Sequence, residues 1–214
     1  MHQWEPWLRE WNRELLARHD PTEYNAFVDP LVTPAVLASG WLGSPGVTEG
    51  QLAELEARLG VTLPPSYRSF LRASNGFLQP GVIVPRLLPA NEVAWLREAD
   101  PDTIDAWTGP ASRTGGVADP DGFEKYLPTA LKVSARETVG TAMYLLNPRV
   151  AGADGEWEAF FFAHWVPGAR RFPSFRALMQ AELEDLLAPA PPPPPGRLRT
   201  FVNALRWIFR RTPA

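Results

Sequence analysis

The fold class this sequence predicts is α+β, with a small, mostly antiparallel sheet packed against several helices. Three observations predict it. Segments with helical apolar spacing come first, β-like runs cluster in the middle, and one more amphipathic segment closes the region before a proline run. The 214 residues are 45% hydrophobic and 21% charged, which is ordinary for a globular chain, and nine Trp with eleven Phe can fill a sizeable core.

Residues 2–19 have Trp4, Trp7, Leu8, Trp11 and Leu15 at the spacing of one helical face. Asp20-Pro21 ends that helix. Residues 20–46 are rich in Pro and Gly and read as a connection, with a short helix from Pro34 to Ser39. "TEGQLAELEARLG" opens on Thr48 with Gln51 three residues on, the spacing of a capping box. Leu52, Leu55 and Leu59 form its buried stripe, and Gly60 stands where a left-handed cap is wanted. In "LPPSYRSFLRASNGF", Pro64-Pro65 opens a helix whose first turn needs no amide donor. Tyr67, Phe70 and Leu71 face one way, with Arg68 and Arg72 beside them. Asn75-Gly76 is expected to stop the helix by tolerating positive φ.

"GVIVP" (81–85) reads as a strand, and "PANEVAWLREAD" as a helix capped by Asn91 and continued weakly through "PDTIDAW". Residues 108–123 lack periodicity and are full of turn formers, the pattern of a mobile loop. Strands are expected at 130–134, 141–147 and 157–165, the last two joined by "NPRVAGADGE" as a long hairpin. Ser174 caps a final helix with Phe175, Leu178, Met179, Leu183 and Leu186 on its apolar face.

After Leu187 the chain changes character. "APAPPPPPG" is a semi-rigid spacer. Beyond it, Leu198, Phe201, Val202, Leu205, Ile208 and Phe209 share one helical face, and Arg199, Arg206 and Arg210 flank it. Trp207 falls on the opposite side, unusual for a solvated face and common on binding surfaces. The expected organisation is therefore residues 1–39 as an N-terminal helix and connection, 40–187 as the main domain, 188–196 as the linker and 197–214 as a basic amphipathic tail.

The net charge of −3 hides an asymmetry. Arg197, Arg199, Arg206, Arg210 and Arg211 carry the tail. Taking those five from 21 Lys and Arg leaves 16 against 24 Asp and Glu, about −8 for the rest. An acidic body attracts basic partners and repels nucleic acid, so no nucleic-acid partner is expected; solubility is the plainer use of such a charge.

Several chemistries lack their residues. There is no cysteine, which excludes disulfides, thiolate metal sites and a Cys nucleophile, and which fits a reducing, cytoplasmic compartment. The N-terminal stretch is charged throughout and has no apolar run of the signal-peptide kind, and no apolar run is long enough to span a bilayer. His2, His19 and His164 have no metal-ligand spacing, and His164 reads as a packed or edge histidine. "GWLGSPG" lacks the strand and the Lys-Ser/Thr of a phosphate loop. No serine lies in a nucleophile elbow. Glu156 and Glu158, two apart at a strand start, share one face. Asp119 and Asp121 sit in the turn "DPDG". Both pairs can carry acid–base or cation chemistry, and both are also what a solvated strand edge and a plain turn look like. No enzyme class, cofactor or metal is expected.

The ordered elements "GWLGSPGVTEGQLAELEARLGVTLPPSYRSFLRASNGF", the strand ending in "LLNP", Gly-Glu-Trp-Glu at 155–158 and the Ser-Phe helix start at 174–175 resemble the SMI1/KNR4 family of the SUKH superfamily. The resemblance covers roughly residues 40–187. It implies an α+β domain without catalytic residues. Bacterial members of that family are mostly immunity proteins that bind and block a cognate toxin domain, often a nuclease, and fungal relatives are interaction proteins of cell-wall regulation. On that footing the expected contacts are Asp119 and Asp121 on the long loop, Asp154, Glu156 and Glu158 on the hairpin, and Trp207 in the tail. The alternative is a scaffold or peripheral membrane protein that uses residues 197–211 on anionic lipid or in a partner's groove.

Overall fold

The computed structural model describes residues 4–18, 33–78, 84, 86–109, 122–135, 142–163 and 168–188. The expected polyproline linker and basic tail, the Asp119–Asp121 turn, His2, His19, His164 and Trp165 lie outside them.

The chain begins with α1 (Trp4–Arg18) and the short α2 (Pro34–Ser39). Then come α3 (Glu49–Leu59) and α4 (Pro65–Ala73). Strands β1 (Phe77–Leu78) and β2 (Arg86–Leu87) pair antiparallel as a small separate sheet. The main sheet takes β3 (Ala94–Trp95), β4 (Leu131–Lys132), β5 (Ala142–Ala151), β6 (Trp157–Ala163) and β7 (Ala169–Phe172), in that order and all antiparallel. Between β3 and β4 lie α5 (Leu96–Ala99), α6 (Pro101–Thr108) and a 3-10 helix (Phe123–Thr129), and α7 (Phe175–Leu187) follows β7. The α+β expectation holds.

The strongest local signals give the elements they predict. Thr48 and Gln51 form the full capping box of α3, and Gly60 takes φ 70 at its end. Ser174 caps α7 by accepting from the Ala177 amide at 3.0 Å. Other expectations change. α4 ends at Ser74, extended at φ −152, whose Oγ accepts from Ser44 N at 3.1 Å. Asn75 instead ties down a later turn, its Oδ1 accepting from Ala90 N at 2.7 Å. Gly76 does carry positive φ, 86°, and a Cβ there would stand 3.0 Å from the Leu87 carbonyl oxygen. Gly46 is needed for close approach, since a Cβ would lie 1.8 Å from Arg72 O.

The helix expected from Asn91 is not formed. Residues 90–92 are a turn, and Ala94 and Trp95 pair with Lys132 and Leu131 instead, so helix begins at Leu96. Residues 101–108 are a separate helix, because Pro101 lacks an amide proton and Asp100 caps the new start through Thr103 N. Of the strand expected at 81–85, only Val84 is described, and it is fully buried. β5 runs on to Ala151: an irregularity between Asn147 and Ala151 lets Pro148 stay in the strand, so the turn is shorter than expected.

The main sheet is buried on both faces. On the first, Tyr144, Leu146, Trp157, Ala159 and Phe161 join a core built with α1, α3, α4 and α7. On the second, Met143, Leu145, Phe160 and Phe162 meet Leu96, Ile104, Phe123 and Leu127. This double burial is why "AMYLL" and "AFFFA" read as continuous apolar runs without alternation. The N-terminal helix is part of the first core. Trp4 packs on Phe70 at 5.5 Å and Phe175 at 5.6 Å, and its indole N–H donates to Ser66 O and Ser69 Oγ. Such aromatic pairs add about 1 kcal/mol each beyond area burial.

Candidate partner-binding surface

The family-like stretch around α4 is spent inward. Tyr67, Phe70 and Leu71 are fully buried, and burial pushes the Tyr67 phenol far above its ordinary range. On the outer side, Arg72 Nη1 meets Glu49 Oε1 at 2.9 Å, Arg68 pairs with the same carboxylate, and Arg68 Nε reaches Glu56 Oε1 at 3.3 Å. The hydrogen bond from Arg68, with the charge of both arginines, holds the Glu49 carboxyl below its usual value.

Glu156 does not lie on the surface. It is 7% exposed. Pro64 gives α4 no side-chain cap and Pro65 has no amide proton, so the first amide donor of the helix is Ser66 N. That amide donates to Glu156 Oε1 at 2.8 Å, and the Ser66 hydroxyl donates to Oε2 at 2.6 Å. The same hydroxyl accepts from Arg176 N, in the first turn of α7, at 3.3 Å. A carboxylate carried in from the start of β6 therefore caps α4 at its positive dipole end and ties two helix starts together. This internal use is at odds with the expectation of a surface carboxylate.

Glu158, on the second face, is also engaged. It accepts from Asn147 Nδ2 at 2.9 Å and from Arg171 Nε at 2.6 Å. The Arg171 guanidinium lies 5.7 Å from the Tyr126 ring centre and 5.6 Å from that of Phe160. Glu156 and Glu158 are thus neighbours in sequence with separate roles, because Glu158 points across the sheet while Glu156 reaches a helix end. Asp154 is exposed in the hairpin turn, where its Oδ1 accepts from Glu156 N at 3.1 Å. Asp119, Asp121 and Trp207 fall outside the described residues.

A denser acidic surface stands elsewhere. Across α5 and α6, Glu98, Asp102 and Asp105 are exposed, Asp100 is a buried cap, and Arg97 stands as the one cation of residues 96–109. No catalytic or binding motif marks this stretch. A running charge count would have found it, since four acids meet one base between residues 96 and 105. Among the described residues no group of three or more His, Asp or Glu is placed to hold a metal ion, and no helix is long and apolar enough to cross a membrane.

Helices on both faces of a short antiparallel sheet, with the polar motif residues used as caps and staples, define a compact α+β scaffold of the kind that presents a binding surface. The model of the SMI1 / KNR4 family (SUKH-1) matches residues 46–181, and the chain belongs to that family. The family includes immunity proteins, and its domains generally bind protein partners. No curated protein matches the chain.

Proposed function

We propose that this protein is a stoichiometric, non-catalytic inhibitor of the immunity type, acting in the cytoplasm by binding a cognate toxin domain through an acidic surface. Membership of the SMI1/KNR4 family carries the reading. The charge distribution supports it. The exposed acids of α5 and α6, with Asp154 on the hairpin and Asp119 and Asp121 in the intervening chain, suit a partner whose own site is basic because it holds phosphates. A nuclease toxin domain is such a partner.

The test is association kinetics with purified toxin domains, beginning with any that a gene adjacent to this one encodes. The expected result is a stoichiometric complex without toxin activity, forming more slowly as salt rises. A toxin left fully active by excess protein would overturn the reading, and a salt-independent rate would remove its electrostatic part.

A second reading rests on the sequence of residues 197–211, which carries five arginines, three of them (Arg199, Arg206 and Arg210) at positions that flank the apolar stripe of a helical spacing. It makes the protein a scaffold or peripheral component at anionic lipid. Co-sedimentation of the intact chain with anionic but not neutral vesicles would favour it.

A further inference from the structure

We infer that Glu182 is a proton-controlled latch, holding α7 to the main sheet in its neutral form and loosening that contact when it ionises. Glu182 sits mid-helix with 1% exposure, among the apolar residues by which α7 packs on the first core. Its Oε1 and the Tyr144 phenol oxygen are both buried and neither closes a well-formed hydrogen bond, although the phenol lies near enough to the carboxyl to interact with it. The nearest cation, Arg170 Nη1, stands 3.9 Å from Oε1, too far for a hydrogen bond. That guanidinium is committed elsewhere, donating from both Nη atoms to Asp185 Oδ2 at 3.2 Å. A carboxylate so placed has lost its water and gained little in exchange, so the neutral acid is favoured.

The groups around it come from each packed element. β5 supplies the Tyr144 phenol, β7 the Arg170 guanidinium, and α7 itself the Asp185 carboxylate. β6 supplies the Phe161 ring, 6.0 Å from both the Tyr144 ring centre and the Arg170 guanidinium carbon. From α4, the Tyr67 phenol packs on Phe175. Burial pushes the Glu182 carboxyl up from 4.5 to about 7, against the opposing pull of Arg170 and Tyr144 and with a smaller push from Asp185. The same burial, reinforced by Glu182, raises the Tyr144 phenol well above its ordinary value.

The sign follows from proton binding. Between pH 4.5 and about 7 the folded protein keeps a proton on Glu182 that the unfolded chain releases. The contribution is therefore fully present below pH 4.5 and is lost as pH rises through about 7. Most native carboxylates act in the opposite sense.

The experiment is amide exchange of α7 in the intact protein at pH 5.5 and 8.5, corrected for intrinsic rates, with Glu182→Gln alongside. Protection in the parent is expected to fall roughly tenfold or more across that interval, while the glutamine variant stays nearly level. Parallel profiles would overturn the inference. Should the variant not fold, carboxyl ¹³C NMR of the unaltered protein decides: a midpoint near 7 for Glu182 upholds the latch, and one in the ordinary carboxylate range rejects it.

Discussion

The two faces of the five-stranded sheet are covered in different ways. On the first, α1, α3, α4 and α7 bring Trp4, Trp11, Tyr67, Phe70 and Phe175 together, all at 2% exposure or less. On the second, two short helices and a 3-10 helix cover a smaller core, and the outer side of the two helices is acidic. The elements that resemble the family lie mostly on the first face. A scaffold and a charged exterior are thus set on opposite sides of one sheet, so surface residues on the second side can vary without disturbing the core that fixes the fold.

Truncation tests that division most severely. Phe70→Ala, at a fully buried ring in contact with Trp4, Tyr67 and Phe175, is expected to cost about 4–5 kcal/mol of unfolding free energy. Ile104→Ala, at the 9%-exposed rim of the second core, is expected to cost about 2 kcal/mol. Urea midpoints measure both. Equal losses would mean that the two faces contribute alike and would break the comparison.

Glu156 is where the sheet reaches back to the first face. Glu156→Ala removes two buried hydrogen bonds with a carboxylate and leaves Ser66 N without its acceptor, for an expected loss of about 3 kcal/mol. Glu156→Gln retains an acceptor oxygen and should lose less than half of that. A loss under about 0.5 kcal/mol for the alanine variant, in the range of ordinary surface changes, would return Glu156 to the surface role the sequence suggested.

What could be read in advance follows the range of the forces involved. α3 and α7 were legible because a cap and an apolar stripe are local patterns. β5 and β6 were legible as apolar runs, but β5's end was not, since Asn-Pro usually marks a turn and here lies in an irregular strand. β1, β2 and β3 have two residues each, too few to show a period, whereas the equally short β4 falls inside the strand expected at 130–134. β7 was hidden by adjacent arginines. Arg170 lies against the Phe161 and Phe172 rings and Arg171 against Tyr126 and Phe160, so charged side chains cover aromatic surface. The capping role of Glu156 was illegible for a plainer reason. Its partner is 90 residues away, and no local pattern announces a cap supplied by another element.

The smallest effect on stability should accompany a clear effect on association. Glu98→Gln with Asp105→Asn neutralises two exposed acids on the second face. Glu98 has an exposed ion pair with Arg97 at 3.6 Å, and such pairs contribute little. The double variant should therefore unfold within about 0.5 kcal/mol of the parent. If the acidic side steers a basic partner, its association rate should fall roughly three- to tenfold at low ionic strength, with the gap closing as salt is added. Dissociation should change less, because diffuse charge acts mainly on encounter. An unchanged association rate, with neutralisation of Asp154 producing the fall instead, would move the contact from α5 and α6 to the hairpin. The division between scaffold and charged face would then run through the turn that follows β5, beside the α4 start that Glu156 caps.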